Sequence, residues 1–492
     1  MSSLQKETSY DEDVKAKVEE VDLESKQIIK HGHVAFEYSP AEKQLKRKID
    51  IAFLPLIVFI LFIQFVDKTA LNNANMLGVK KDTGLDTDKF GWLGALFYIG
   101  YLAGQVPNNF LVQRLPISKY MGVVLLLWGT TFMATAAAKS FPGLAVSRVV
   151  LGLFEATTYP CVFILISMFY RRHEQVFYIS YMFLANACAV MVGALIAFAI
   201  GGLQGVNGLS AWQYLYLIWG SVTFFLGILF FVFLPDRPES RWFKLTEDEK
   251  LIVAERLKDN GQKENTTFNK AHIHEALREG RYYAICAISF FCNLQNGCTT
   301  TFSTQIINEM GFSTLQSILL NIANGATGVL LISITMFASR RYNEICYVGM
   351  GMVVVAFLGV LLLTVIPSGP VRLLGIFLTY GVTPVYILAQ TLINNNVKGF
   401  SKKAFYTSSQ LVSYSLGNFL GPLFIQANTA PRYLPAMITY DIANVIQLFA
   451  FIYIRWSLVR DQRRRSNTAI PGQHDSINDL TDKEDLTFAY RQ

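Results

Sequence analysis

Residues 147–160 read SRVVLGLFEATTYP and lie inside the apolar run 144–169, LAVSRVVLGLFEATTYPCVFILISMF. The run exceeds the ~20 residues that carry a helix through a bilayer. It nevertheless holds Arg148 and Glu155. Charges at membrane depth are costly, face a bundle interior or a watery path, and mark function by default. A separation of seven residues is nearly two helical turns, so the two share a face, roughly 10 Å apart along the axis. That is too far for a direct bond within one helix, and each must look to another helix. Gly152 and Ala156 beside them let a neighbouring helix come close. Pro160 loosens the helix one turn later.

The rest of the chain follows the same pattern. Of 492 residues, 52% are hydrophobic and 16% charged, and the mean hydropathy is +0.33. A soluble protein usually carries about 25% charge, and no soluble core needs a dozen such blocks. The spacing predicts twelve helices, at about 49–71, 90–111, 119–138, 144–169, 176–201, 213–234, 281–303, 314–337, 345–366, 371–394, 406–427 and 436–457. The expected organisation is a tail (1–48), a six-helix bundle (49–234), a polar connector (235–280), a second six-helix bundle (281–457) and a tail (458–492). The fold class is an all-α membrane protein. The net charge of +7 belongs to membrane topology rather than to nucleic acid, because the basic residues flank apolar blocks.

Arg114, Lys119, Arg171, Arg172, Arg340, Arg341, Lys398, Lys402 and Lys403 follow the even-numbered helices, and Arg460 and Arg463 to Arg465 follow the last. The loops 201–213 and 366–370 have no basic residue. Lys80, Lys81 and Lys89 dissent, but acids accompany them. Basic loops stay in the cytosol, so both chain ends and the connector are expected there. Thr246 and Glu249 can form a capping box, opening a short helix, and HIHEALREGRYY suggests a second. Such a connector either braces the two halves or is a solvated linker. The sequon at Asn265 is expected to stay unmodified on that side. The acidic N-terminal segment and NDLTDKEDL read as disordered, and the N-terminal segment has no signal-peptide pattern. The six cysteines read as small packing residues.

Two further polar sets lie in the apolar helices. In QFVDKTALNNA, Asp67 and Lys68 are adjacent and so point in different directions. Asp67 can meet Arg148, and Lys68 can face a cavity and hold an anion; alternatively both sit in the outer headgroup zone with Lys68 snorkelling. Asn186, Asn293, Gln295, Asn296, Gln390, Asn394 and Asn418 either bind a polar solute or hold helices together. No P-loop, GxGxxG or HExxH pattern is present. The histidines lie in tails and polar segments, and His272 with His274 alone do not make a metal site. Neither cofactor, metal nor catalytic residue is implied, and any pumping must draw on an ion gradient.

Six helices, a connector and six more is the layout of the major facilitator superfamily. The stretches VDKTALNNANMLGVKKDTGL, FGWLGALFYIGYLAGQVPNNFLVQRLPISKY, RVVLGLFEATTYP, FLPDRPESRWFKLTEDEK, NEMGFSTLQ and NVKGFSKKAFYTSSQLVSYSLGNFLGPLFIQANTAPRY resemble the fungal allantoate-permease branch of its anion:cation symporter family. The resemblance covers about residues 45–460. It implies proton coupling through Asp67 and Glu155, with Arg148 interacting with those acids. It implies substrate contact at Lys68 and Asn186; Gln295, Asn296, Gln390 and Asn394 complete the candidate binding set. Two features depart from the family pattern. The loop after helix 2 is reduced to QRLPISKY, and Asp67 is followed by lysine where relatives often have arginine, which loses the two-pronged fork for a carboxylate.

The expected function is proton-coupled symport of a small organic anion, such as allantoate, ureidosuccinate, a dipeptide or another carboxylate or sulfonate. A passive facilitator of the same fold and a non-transporting nutrient sensor are the alternatives; an enzyme is not expected. The partners are the anion, a proton and the lipid bilayer, with no nucleic acid and a monomeric chain. The plasma membrane is the expected site, with endoplasmic reticulum or vacuole as alternatives.

Overall fold

The computed structural model describes residues 39–236, 269–367, 369–466 and 480–485, with 245, 246, 249, 250, 252, 253, 488, 490 and 491. Twelve long spans run through these residues. Spans 1 to 6 are Pro40–Met76, Thr87–Val112, Ile117–Thr135, Phe141–Phe169, Arg172–Gly201 and Ala211–Phe233. Spans 7 to 12 are Gly280–Asn308, Thr314–Tyr342, Ile345–Val365, Val371–Asn396, Phe400–Leu420 and Leu434–Ser466. Nine are long and apolar enough to cross a membrane by composition; spans 2, 7 and 11 are more polar. Those three pack on one another or across the midline, where a helix meets protein rather than lipid.

Span 1 starts at Pro40, nine residues earlier than the hydropathy implies, because its polar first turns are held by protein partners. Ser39 Oγ caps Glu42 N at 3.1 Å. Glu42 accepts from Arg171 Nε at 2.9 Å, and Lys46 pairs with Glu174 at 2.9 Å. Asp50 accepts from the hydroxyls of Tyr170 and Tyr178. The capping box at Thr246 and Glu249 is present, with reciprocal bonds of 2.9 and 3.3 Å, and Glu249 also pairs with Lys48. A helix at Lys270–Leu277 precedes span 7. Residues 1–38, Asn265 and most of the connector lie outside the described residues.

The halves are built alike. Spans 1 and 5, 2 and 4, 3 and 6 pack together in the first half, as do 7 and 11, 8 and 10, 9 and 12 in the second. The crossing of spans 2 and 4 depends on missing side chains: a Cβ on Gly152 would lie 2.0 Å from Phe97 O, and one on Gly100 would lie 1.8 Å from Val149 O. Between the halves, span 5 packs on 8, span 2 on 11, and span 1 on 7.

An even number of spans puts both ends of the bundle on one face, here the terminal face. Hydrogen bonds between the halves begin near mid-span and continue to the opposite face. Asn72 Nδ2 donates to Ser303 Oγ at 2.8 Å, Asn75 Nδ2 to Gln305 Oε1 at 2.8 Å, and Lys80 Nζ to Gln305 Oε1 at 2.7 Å. Asp88 accepts from Ala427 N at 3.0 Å. The opposite face is therefore closed by contacts between the halves.

The acidic segment near the C-terminus corrects the expectation of disorder. Thr481 and Asp482 are fully buried against the second half, because their side chains find partners that composition cannot reveal.

Gly152→Ala is expected to destabilise the protein by about 1–3 kcal/mol or more through overpacking, whereas Gly351→Ala, with nothing near its Cβ, leaves it unchanged; detergent-phase thermal melts compare the two. Lys80 lies between spans 1 and 2, and burial pushes its ammonium down to about 8. The closed opposite face thus binds this proton less tightly than a solvated lysine would, and closure becomes more favourable as pH rises from about 8 toward 10.5. Distances between spin labels on the two halves at that face should shorten over this window, and Lys80→Gln should flatten the response.

Candidate functional site

Span 4 is two helices, Phe141–Glu155 and Thr158–Phe169. The break comes where Pro160 has no N–H to offer the Ala156 carbonyl. Gln105 Nε2 reaches that carbonyl instead, at 3.5 Å. Glu155 is left at the end of a helix in the middle of the span. Span 10 breaks in the same way, into Val371–Thr379 and Val382–Asn396, before Pro384. Arg148 and Arg372 each stand twelve residues before their proline. Interrupted helices at matching positions of two halves are where substrate sites of such bundles are built.

The neighbours Asp67 and Lys68 diverge as expected. Lys68 Nζ lies 2.9 Å from Glu155 Oε1, with side-chain exposures of 6% and 0%. Gln64 Nε2 donates to the same oxygen at 2.9 Å. Asp67 turns into the first half and accepts from the indole of Trp128. Asp67 is buried and the Lys68 side chain is 6% exposed, so Lys68 does not snorkel: the bundle surrounds this level of span 1. Arg148, also buried, makes no ion pair with Asp67 or Glu155 among the described residues. It lies within electrostatic reach of both acids, 6.0 Å from the centre of the Phe97 ring. Among the described residues, five buried polar atoms here have no hydrogen-bond partner: Gln64 Oε1, Asp67 Oδ1, Arg148 Nε, Glu155 Oε2 and Asn186 Oδ1. Such atoms usually find a partner, so this cluster is one that a solute, proton or water can complete.

Tyrosines wall the Lys68 side of the cluster. The ammonium lies 5.8 Å from the Tyr101 ring centre and 5.6 Å from that of Tyr159, and donates to the Tyr414 hydroxyl at 3.5 Å. Tyr98 meets Tyr414 edge-on and Tyr386 meets it at a tilt, with ring centres 6.2 and 5.3 Å apart. Tyr386 and Tyr414 belong to the second half, so the site spans both. Sequence reasoning missed these residues. The available signal was the polar hydroxyl of Tyr98 and Tyr101, three apart in an apolar helix, which needs a partner when buried.

The predicted amides divide. Asn186 Nδ2 donates to Tyr159 OH at 3.2 Å, placing it at the site. Gln295 is bound within the second half, donating to Thr379 O at 3.3 Å and accepting from Asn444 at 2.9 Å. Asn296 donates to Asn418, which donates to Asn293, both at 2.9 Å. These three join spans 7 and 11. Gln390 is half-buried one turn beyond Tyr386, toward the terminal face. Asn394 is exposed near the end of span 10, its carbonyl accepting from Lys403.

The model of the Major Facilitator Superfamily matches residues 57–422. The chain belongs to that superfamily. It is therefore a membrane transporter and not an enzyme. Among its relatives, an uncharacterized transporter of Schizosaccharomyces pombe is 30% identical over 459 residues, covering 91% of this chain and 89% of that one. The allantoate permease of Saccharomyces cerevisiae is 29% identical over 476 residues, covering 92% and 87%. A bacterial homologue of the human lysosomal transporter Spinster, solved in an inward-facing and unoccupied conformation, shares the fold with a TM-score of 0.63 at 15% identity, covering 85% of this chain and 98% of that one.

Trp128→Phe removes the hydrogen bond that Asp67 accepts. It is expected to cost about 1–3 kcal/mol, or more if the carboxylate stays charged, seen as a lower melting temperature. Combining it with Asp67→Asn should recover part of the loss.

Proposed function

We propose that this transporter is a proton-coupled symporter that imports a small organic anion by alternating access. The observation that carries the reading is the 2.9 Å ion pair of Lys68 with Glu155 at the junction of the halves. Lys68 is the cation beside the tyrosine wall, and Glu155 holds it. An incoming carboxylate or sulfonate competes for the same ammonium. A carboxylate left without its cation in a water-poor site is costly, and a proton neutralises it. Proton and anion are then bound by one exchange of partners.

Charge balance supports the same stoichiometry. Asp67, Lys68, Arg148 and Glu155 sum to zero when all are ionised. A monoanion alone would leave one buried negative charge, and one proton cancels it. Arg148 keeps Asp67 and Glu155 under a positive field while Lys68 is lent to the substrate. Asn186 Oδ1 and the tyrosine hydroxyls supply the polar contacts that orient a solute. Lysine offers a point charge rather than a fork, which suits carboxylates and sulfonates alike. Allantoate, ureidosuccinate and dipeptides fall in this class, and the name of the Saccharomyces cerevisiae relative agrees with it. The basic residues on the terminal face favour a cytosolic position for it, with the plasma membrane as the site of import.

Glu155→Gln mimics the neutral carboxyl. It should keep counterflow exchange of a transported anion, lower the apparent KM of that exchange, and abolish accumulation driven by a proton gradient. Equal loss of exchange and accumulation at normal surface expression would make the pair a structural tie instead. Lys68→Gln should lose both activities while Lys68→Arg retains exchange. For a monoanion, uptake should carry no net current.

A further inference from the structure

On the terminal face, residues 480–485 with Phe488, Tyr490 and Arg491 form a strap across the ends of spans 7, 10, 11 and 12. The carboxylate of Asp482 meets Lys402 at 2.6 Å, and the same ammonium takes Glu275 at 2.7 Å and Glu279 at 2.6 Å. Three carboxylates converge as they would on a metal ion, but a lysine with no exposure already fills their centre. Arg465 donates to the carbonyl of Phe488 at 2.6 Å and to the Tyr490 hydroxyl at 2.9 Å. Backbone amides of the strap are held too: Tyr490 N by Gln462 at 3.0 Å and Arg491 N by Asn396 at 2.8 Å.

Thr481 is the pivot of this strap. Its hydroxyl donates to Glu275 Oε2 at 3.0 Å and accepts from Glu484 N at 3.3 Å. Its amide donates to Glu484 Oε2 at 2.9 Å. The side chain has no solvent exposure, and its methyl lies 3.4 Å from where a Cβ on Gly399 would stand. The site has neither space nor charge for a phosphate. The nearby cations are engaged: Lys402 by three acids, Lys398 by Asp485 at 2.5 Å, and Lys483 by Glu279 at 3.0 Å. In sequence, Thr481 stands among Asp479, Asp482, Glu484 and Asp485.

We propose that Thr481 is a phosphorylation site whose modification releases the strap. A protein kinase with a basic peptide groove acts on the undocked strap, using ATP. The Thr481 oxygen bonds to the γ-phosphorus, the bond from that phosphorus to the β-phosphate oxygen breaks, ADP leaves, and the hydroxyl proton passes to the kinase's base. The added charge of about −1.5 to −2 then faces Glu275 and Glu484, and the strap cannot return. Lys402 loses Asp482, and the connector helix loses its tie to the tail. The proposal rests on the terminal face being cytosolic, where ATP is present.

The test uses the full chain in detergent, where both faces are accessible, so an error in orientation does not affect it. Treatment with an acidophilic kinase and MgATP should place one phosphate on Thr481, located by fragmentation mass spectrometry. Hydrogen exchange at the amides of Asp485, Phe488, Tyr490 and Arg491 should then quicken on the order of tenfold, the effect of losing one hydrogen bond to a charged group. Thr481→Glu should reproduce the faster exchange without kinase. Thr481→Val, of the same shape, should take no phosphate there and keep slower exchange than Thr481→Glu. Phosphate found only on Ser476 or Thr487, or phosphorylated Thr481 with unchanged exchange, would overturn the proposal. ATP-dependent labelling in sealed right-side-out vesicles, against inside-out ones, separately reports which face is cytosolic.

Discussion

The ion pair between Lys68 and Glu155 is the constraint around which the membrane interior is arranged. A single unpaired charge at this depth costs several kcal/mol, so each of the four buried charges must be answered by another. Lys68 and Glu155 answer each other directly, while Asp67 and Arg148 do so across a gap. That arrangement needs span 1 to present two adjacent residues in different directions. It needs span 4 to stop at Glu155, and span 2 to come close enough to roof the site with Tyr98 and Tyr101. The glycines at 100 and 152 permit the last of these.

Polar side chains serve two purposes in the bundle. In the second half, amides of spans 7, 11 and 12 tie helices together. In the first half, polar atoms beside the charges have no hydrogen-bond partner among the described residues. An incomplete polar cluster at the junction of the halves suits rocking about a fixed site, with the closed opposite face held by a few hydrogen bonds between spans 1 and 7. Each half also has its own brace on the terminal face: the early turns of span 1 in the first, and the strap at Thr481 in the second.

Much of this was legible in the sequence. The twelve spans follow from hydropathy, since only a helix satisfies its own backbone in lipid. Arg148 and Glu155 stand out because charge in an apolar helix is expensive. The partner of Glu155 was not legible. Spacing along one helix says which residues share a face, not which side chain on another helix reaches them, and Lys68 rather than Arg148 makes the contact. The amides show the same limit: Asn186 and Gln295 look alike in sequence, yet one borders the site and the other is bound within the second half. Tyrosines escaped notice because an aromatic ring in an apolar helix is unremarkable until several converge. The acidic strap was misread because composition counts its charges without seeing Lys402 and Arg465 waiting for them.

By itself, the sequence determined what each helix must avoid: lipid contact for its charges, an unsatisfied backbone, a bulky residue at a crossing. These are local requirements, set by residue type and helical period. Only the tertiary structure decided which charges meet, which amides are used up, and where the halves touch. Those outcomes depend on distances between residues such as Lys68 and Tyr414, 346 positions apart, and electrostatic energy at low dielectric changes steeply over a few ångströms.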